Sequence, residues 1–133
     1  MILADTSVWI DFFNGNENKY TDALDIHLDS STVVMGDLIF LEILQGFKND
    51  KDYRQAKNAL QALGQYEMLN SELALISADN YRQLRKKGIT IRRTTDVIIA
   101  TFCIENRLPL LFCDRDFIPF FEHLKMKSVL KEA

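Results

Sequence analysis

The sequence has few cysteines and no long apolar run. Its two cysteines among 133 residues, Cys103 and Cys113, both lie inside apolar stretches, TFCIEN and LLFCD. We expect reduced, buried thiols there rather than a disulfide or a metal pair. No apolar run approaches the roughly 18 residues of a membrane span, and Asp5 interrupts the N-terminal run too early for a signal peptide. These absences favour a soluble, cytoplasmic protein.

The chain also lacks an excess of positive charge. Its net charge is -3 and its pI is about 5.3, which argues against a general nucleic-acid binder that acts through a bulk positive field. Residues 82–93, RQLRKKGITIRR, hold six of the sixteen basic residues and no acid. The cations of Arg85–Lys87 are explained by the dipole at a helix end. We interpret Arg92 and Arg93 as candidate contacts to backbone phosphates.

Short apolar runs alternate with helical patterns along the chain. MILAD, TVVM, YEML, LPLLFC and KMKSVL predict five strands, and the unbroken apolar first run is typical of a parallel strand covered on both faces. Capping residues and helical spacing predict helices behind Thr6 or Ser7, over LIFLEILQGF behind Asp37, over YRQAKNALQALG, over SELALISADNYRQLRKKG, and over DVIIATFCIEN behind Thr94 or Thr95. The pattern predicts a single α/β domain over residues 1–133, with a doubly wound, mainly parallel sheet of about five strands flanked by helices.

Acidic residues adjoin these apolar runs, where an unpaired carboxylate is costly. They are Asp5, Glu42, Asp96 and Asp114. Asp5 and Asp114 end the first and fourth predicted strands, and open α/β sheets bind ligands outside the carboxyl ends of their strands. Asp96 begins the buried helix that leads into the fourth strand, and Glu42 lies about a turn into the helix after the second. We therefore expect the carboxylates to converge at one edge of the sheet.

Each acid also has a structural explanation. Asp5 can end a strand, Asp96 can favour a helix N-terminus through the dipole, and Asp114 can make a turn. Glu42 is hardest to explain in this way, because apolar residues flank it on both sides. A fifth acid, Asp116, is best interpreted as the N-cap of FIPFFEHL, with a metal role as the second choice.

A converged acidic cluster requires protonation or a cation. Two like charges 4 Å apart repel by about 4 kcal/mol at an effective dielectric constant near 20. Oxygen ligation without histidine or cysteine favours a hard ion such as Mg²⁺ or Mn²⁺. Such an ion typically keeps waters and takes substrate phosphate oxygens as its remaining ligands. The sequence leaves open whether one ion or two are bound.

With these residues in place, the chain resembles the PIN-domain ribonucleases, specifically the VapC-type toxins of bacterial toxin-antitoxin pairs. The resemblance is carried by DTSVWID at the start, EILQG in the second helix, RKKGITIRRTTDVIIA before and into a buried helix, and LLFCDRDF at the fourth strand. It implies a PIN-like fold with a central parallel sheet and a metal site built from Asp5, Glu42, Asp96 and Asp114. It also implies RNA cleavage, homodimerisation and inhibition by a VapB-type antitoxin.

The resemblance assigns roles to the acids. Asp5 and Asp96 would hold the principal Mg²⁺, while Glu42 and Asp114 would orient the attacking water or complete a second metal position.

One residue departs from the family pattern. Many relatives carry a hydroxyl residue two places before the last acid, where this chain has Phe112. Thr6 or Ser7 can supply a hydroxyl for water positioning instead, although both are equally well explained as helix caps.

Two other functions fit part of the pattern. A receiver-like phosphoacceptor also combines a doubly wound fold with an acidic, Mg²⁺-binding crevice. Receivers typically carry an acidic pair at strand one, whereas this strand ends in Asp5 alone and Glu42 and Asp96 fall on helices. A catalytically inert PIN-like binding module is the other alternative, and the presence of every expected acid argues against it.

Overall fold

A parallel sheet flanked by helices organises residues 1–130, the part of the chain that the computed structural model describes. Within these residues the sheet has four strands in the order β3-β2-β1-β4, with all neighbours parallel. The strands are β1 (Ile2–Ala4), β2 (Val33–Gly36), β3 (Gly64–Tyr66) and β4 (Leu110–Leu111). The helices are α1 (Thr6–Phe13), α2 (Lys19–Asp29), α3 (Asp37–Gln45), α4 (Asp50–Gln61), α5 (Ser71–Lys86), α6 (Thr94–Glu105) and α7 (Ile118–His123). The predicted α/β class is confirmed.

The change of direction in the strand order places the crevice at the ends of β1 and β4. All residues of β1 and β2 are buried, as expected for apolar strands of a parallel sheet. The chain passes from β1 to β2 on one side and returns to β4 on the other, so the topological switch point lies between β1 and β4. The backbone N–H of Asp5 donates to the carbonyl of Leu111 at 2.9 Å. This bond fixes the end of β1 beside the end of β4.

The predicted fifth strand, KMKSVL, is reduced to a single bridge within the described residues. Ser128 pairs in parallel with Leu110 at the edge of β4, supported by hydrogen bonds from Leu110 N to the Lys127 carbonyl (2.9 Å) and from Val129 N to the Leu110 carbonyl (3.1 Å). The backbone turns at Lys125, where φ is 66°, so little extended chain is left for pairing. The strand count is therefore four plus one bridge.

Helix α6 is the central helix of the fold. Its residues from Asp96 to Cys103 are all buried, in agreement with a sequence that is apolar nearly all round. Asn80 on α5 donates to the Thr101 hydroxyl at 3.0 Å, which pairs two buried polar side chains across the helix contact. No helix in residues 1–130 is long and apolar enough to cross a membrane. Burial from Asp96 onward gives this helix, and Asp96 with it, a fixed position in the fold.

The apolar pattern predicts no helix over residues 19–29, where the structure has α2. The signal was a capping box. The Asn18 side chain accepts from the backbone N–H groups of Tyr20 and Thr21, and the Thr21 hydroxyl accepts from the backbone N–H of Asn18. Only Thr21 and Leu24 of this helix are buried, so its apolar periodicity is too weak to indicate a helix by itself.

Several predicted caps are wrong by one residue. The N-cap positions of α1, α3 and α6 are Asp5, Gly36 and Arg93, and none of the three makes a side-chain cap hydrogen bond. Asp37, predicted as a cap, instead accepts from the backbone N–H of Met68 at 3.1 Å. Its carboxylate thereby ties the start of α3 to the segment after β3.

The single tryptophan of the chain is a residue of α1 and lies in the core. Trp9 is buried, stacks on Phe13 with ring centroids 5.9 Å apart, and meets Phe12 edge-on at the same distance. Phe13 in turn packs edge-on against Phe47, after α3, at 5.6 Å. Trp9 therefore packs in the core, and its aromatic neighbours join α1 to the end of α3.

We expect Gly36→Ala to destabilise the fold by about 1–3 kcal/mol, the usual cost of overpacking a core. A Cβ at residue 36 would lie 2.2 Å from Sδ of Met68, and Met68 is fully buried. Gly64→Ala is the matched control in the neighbouring strand, because its Cβ meets Val34 Cγ1 at an ordinary 3.6 Å. Urea unfolding measures both variants. Equal unfolding midpoints would contradict the packing that we describe at Gly36.

Candidate metal centre

The predicted acids lie along the carboxyl edge of the sheet. Asp5 directly follows β1, and Asp114 follows β4 and caps the 3₁₀ turn Arg115–Phe117. Asp96 lies in the first turn of α6, and Glu42 lies in α3, the helix after β2. The strand and helix order therefore brings them to the end of the sheet that contains the switch point.

Three acids form the tightest group. Oxygens of Asp96, Asp114 and Asp116 all lie within 4.8 Å of one another. The interpretation of Asp116 as a helix N-cap is wrong, because the Asp114 side chain takes the capping role and accepts from the backbone N–H of Asp116 at 2.9 Å. This turn presents both carboxylates to Asp96. Asp116 is thus a member of the cluster, although its sequence context favoured a capping role over a metal role. The signal for its membership was the spacing in DRD, which puts a second acid two residues after Asp114.

Asp5 is a buried acid next to this group. It is 4% exposed, and the Ser7 hydroxyl donates to its Oδ2 at 2.8 Å. Burial raises the pKa of Asp5 to about 6, against the lowering effect of the Ser7 hydrogen bond, and the charge of Asp96 adds a further rise. Asp5 and Asp96 are therefore close enough to interact electrostatically. A nearby cation would favour the charged form of both.

Asp96 shares its neighbourhood with an arginine. It is 3% exposed, and burial raises its pKa while Arg93 opposes that rise. Arg93 donates from Nε to Oδ2 of Asp96 at 3.0 Å and from Nη2 to Oδ2 of Asp114 at 2.7 Å. Arg92 donates to Asp116 at 3.0 Å. The two arginines interpreted as phosphate contacts therefore pair with the acidic cluster in this structure.

Glu42 lies beside the group rather than within it. The Thr6 hydroxyl donates to its Oε1 at 2.6 Å, while the Ser7 hydroxyl donates to the carboxylate of Asp5. The interpretation of Thr6 and Ser7 as helix caps is therefore wrong, since both hydroxyls hold carboxylates. Because Thr6 directly follows Asp5, these bonds connect the Glu42 side of the crevice to the end of β1.

The position of the family hydroxyl belongs to the core. Phe112 is buried and packs against Phe117 with ring centroids 5.7 Å apart. Cys113 is half-buried rather than buried, and its Sγ lies 3.5 Å from the Ser7 hydroxyl. Cys103 is a buried free thiol whose pKa is raised by that burial. In residues 1–130 Thr6 and Ser7 are the hydroxyl residues that bond to the predicted acids.

The donor set fits a hard divalent cation. Asp96, Asp114 and Asp116 offer closely spaced carboxylate oxygens, the ligand type that Mg²⁺ and Mn²⁺ prefer. The guanidinium of Arg93 already bridges two of these acids, which shows that the cluster attracts positive charge. These three residues can hold a metal ion.

Fold and site together define a parallel α/β domain with a carboxylate centre at its topological switch point. The family model described as PIN domain matches residues 2–120. The chain therefore belongs to the PIN domain family. This membership decides against the receiver-like alternative.

Proteins of similar sequence and of similar fold support this family assignment. The chain is 26% identical to Ribonuclease VapC11 of Mycobacterium tuberculosis over 121 residues. This alignment covers 88% of this chain and 89% of that relative. VapBC2 from Rickettsia felis, solved bound to a DNA fragment from their promoter, contains a chain with TM-score 0.73, 17% identity and 96% coverage of both chains. A toxin-antitoxin complex from Klebsiella pneumoniae gives TM-score 0.68 at 18% identity, with 88% of this chain and 90% of that chain covered. The solved structures support the fold.

Proposed function

We propose that the protein is a metal-dependent endoribonuclease, the toxin of a VapBC-type pair, which hydrolyses RNA phosphodiesters with Mg²⁺ or Mn²⁺ held by its acidic cluster. The observation that carries the proposal is the meeting of Asp96, Asp114 and Asp116 at the switch point, with buried Asp5 beside them. The names of the relatives, VapC ribonuclease and Ribonuclease VapC11, support the same reaction. Residues 1–133 would form a single PIN domain.

Asp5 and Asp96 would hold the principal ion, and Asp114 would complete the site together with Asp116. A bound Mg²⁺ polarises a phosphoryl oxygen and lowers the pKa of water. The hydroxyl of Ser7 fixes the orientation of the Asp5 carboxylate. Burial of Asp5 and Asp96 keeps bulk water away from these ligands, which strengthens their attraction for a cation.

Glu42 would orient the attacking water and accept its proton as a general base. Thr6 occupies Oε1 and so orients the carboxylate, which leaves the second oxygen as an acceptor for a proton of water. A half-buried glutamate at the edge of the cluster is suited to this role, since it is not one of the three close ligands. Thr6 therefore acts as a positioning residue for Glu42.

We also propose a VapB-type antitoxin as the protein partner, because the structures of similar fold come from a VapBC complex and a toxin-antitoxin complex. An apolar cavity of 130 Å³ lies between α1 and the end of α3, lined among others by Ile10, Phe13 and Phe47. An apolar antitoxin side chain fits such a cavity. Homodimerisation and a cytoplasmic location complete the proposal and rest on the resemblance to VapC-type toxins.

We expect Glu42→Gln to lower the rate of RNA cleavage about 100-fold, the usual contribution of a general base. The amide oxygen can still accept the Thr6 hydrogen bond, so the fold should persist. Glu122→Gln on α7, an exposed glutamate, is the matched control and should cleave like the wild type. The assay uses end-labelled structured RNA with Mg²⁺, after chelation by EDTA, and after Mg²⁺ is restored.

A DNA of the same sequence tests substrate class in parallel. Cleavage that needs metal, is confined to RNA and falls in Glu42→Gln would support the proposal. Cleavage that survives EDTA would oppose a metal mechanism. Metal binding without cleavage of any RNA would favour the inert binding module.

A further inference from the structure

We propose that Arg93 is an exchangeable counter-ion that couples metal binding to RNA binding. In the metal-free protein it forms ion pairs with both Asp96 and Asp114. A divalent ion displaces it, and the released guanidinium then binds a phosphate of the RNA backbone. The inference rests on the proposed function for its RNA step, but its metal step can be measured without RNA.

The contacts of Arg93 carry the first step. Arg93 is the N-cap residue of α6, and its guanidinium donates to two carboxylates from different parts of the chain. One is Asp96, three residues later, and the other is Asp114, 21 residues later. A planar guanidinium with several fixed donors is suited to such a bridge. The bridge spans two of the three acids whose oxygens lie closest together.

Arg93 and a metal ion would compete for the same atoms. The guanidinium occupies Oδ2 of Asp96 and Oδ2 of Asp114, and a divalent ion at this cluster needs carboxylate oxygens from the same residues. Two cations at one pair of carboxylates also repel each other. Because the Arg93 side chain is 56% exposed, it can leave the cluster for solvent without breaking core packing.

Arg92 provides an internal comparison. It carries the same charge one residue earlier, is 79% exposed, and pairs with Asp116 at 3.0 Å. Both arginines contribute a similar long-range field to the cluster. Among the ion pairs within residues 1–130, those of Asp96 and Asp114 are made by Arg93 and not by Arg92. A difference between the two alanine variants therefore compares competition for two of the three cluster carboxylates with competition for one.

Displacement would give Arg93 a new role. A guanidinium released beside the cluster lies where the RNA backbone approaches, and phosphate is the partner whose geometry it matches in place of a carboxylate. Metal binding would therefore increase RNA affinity, and RNA would increase metal affinity by the same factor, because the coupling between two ligands is reciprocal.

The first experiment is calorimetric titration of Mn²⁺ into the full chain without RNA. We expect Arg93→Ala to bind Mn²⁺ about 5–10-fold more tightly than the wild type, a gain at the lower end of the usual range of coupling between sites. Arg92→Ala should change the affinity by clearly less. Equal gains in both variants would show that the bridge from Arg93 to Asp96 and Asp114 has no effect beyond that of any nearby cation, and would overturn the inference. Weaker binding in Arg93→Ala would overturn it as well, since Arg93 would then be orienting the metal ligands.

The second experiment measures RNA affinity by fluorescence anisotropy in the Glu42→Gln background, where cleavage is suppressed. Mg²⁺ should increase RNA affinity several-fold, and the additional Arg93→Ala change should remove most of that increase, whereas Arg92→Ala should preserve it. An Mg²⁺ effect that persists without Arg93 would overturn the coupling. If the wild type cleaved no RNA but Arg93→Ala still bound Mn²⁺ more tightly, the proposed function would fail while the counter-ion role of Arg93 stood.

Discussion

Asp5→Asn is expected to abolish RNA cleavage and, in the absence of metal, to stabilise the fold. Cleavage should fall by at least about 100-fold, as expected when a group that positions the reacting atoms is lost. Stability should rise because a neutral amide replaces a carboxyl that is 4% exposed. Its Oδ1 can still accept the hydrogen bond that Ser7 donates to the wild-type carboxylate. Most core substitutions that abolish function also lower stability. A loss of cleavage combined with a gain in stability would therefore mark a functional carboxylate.

The stability gain should depend on pH in a defined direction. Burial raises the pKa of Asp5 from 3.8 to about 6, so the folded protein holds this proton more tightly than the unfolded chain. Its stabilising contribution is complete below about pH 3.8 and is lost as pH rises through about 6. At 1.36 kcal/mol per pKa unit the loss approaches about 3 kcal/mol. The Asp5→Asn variant does not lose this stability as pH rises, because asparagine does not ionise.

Thermal unfolding in EDTA measures this effect. The melting temperatures of wild type and Asp5→Asn should nearly coincide at a pH of about 4 and separate at about 8, with the variant higher. Excess Mg²⁺ should then raise the melting temperature of the wild type more than that of the variant, since a ligand stabilises the state that binds it. A variant that melts below the wild type at both pH values would contradict the assignment of Asp5 as a buried metal ligand.

Asp96→Asn should remove both metal binding and RNA cleavage while leaving the fold intact. Asparagine keeps the shape of the side chain in the first turn of buried α6, but it takes away the negative charge from the centre of the cluster. The guanidinium of Arg93 would then keep only Asp114 as a charged partner. Calorimetric Mg²⁺ titration and RNA cleavage on one preparation measure the two losses, each expected to be at least about 100-fold.

Asp22→Asn is the matched control for the Asp96 experiment. Asp22 is an exposed acid in the first turn of α2, so its removal tests the general benefit of a negative charge at a helix N-terminus, worth about 0.3–1 kcal/mol. It should lower stability slightly and leave metal binding unchanged. If Asp96→Asn behaved like Asp22→Asn, Asp96 would be a helix-dipole residue and the metal centre would lie elsewhere.

The placement of Asp5, Asp96 and Asp114 at one edge of the sheet could be predicted because it follows from chain order. An apolar strand that ends in Asp5 and a buried helix that starts near Asp96 leave little choice of sheet edge once all strands are parallel. Local signals are sufficient for such features. The same reasoning identified the stop of α5, where Gly88 has a positive φ of 83° after the last helical turn.

The partners inside the site could not be predicted, because they are distant in sequence. The Thr6 hydroxyl reaches Glu42 across 36 residues, although a threonine beside a strand end has the same local signal as a helix cap. Arg93 likewise has the sequence context of a phosphate-binding cation, while its bond to Asp114 depends on the turn after β4. The capping role was assigned to Asp116 rather than to Asp114 for a similar reason, since either acid can cap the same turn, and both belong to the cluster.

The sheet edges were the least predictable part of the fold. The residues of β3 are all exposed, and the strand runs from Gly64 to Tyr66 rather than over YEML because pairing with β2 decides its extent. At the opposite edge, apolar runs around β4 predict strands longer than the two residues that pair. Apolar composition indicates burial, but hydrogen-bonded neighbours determine where a strand begins and ends.

The position of Trp9 makes the molecule its own optical reporter. Indole emission is sensitive to the polarity of its surroundings, and one buried ring produces a signal without contributions from other tryptophans. Unfolding would transfer that ring from an aromatic cluster to water and shift the emission to longer wavelength. Because Trp9 lies in the same helix turns that follow Asp5, an unlabelled sample can report through light alone whether a substitution in the acidic cluster has disturbed the helix that supports it.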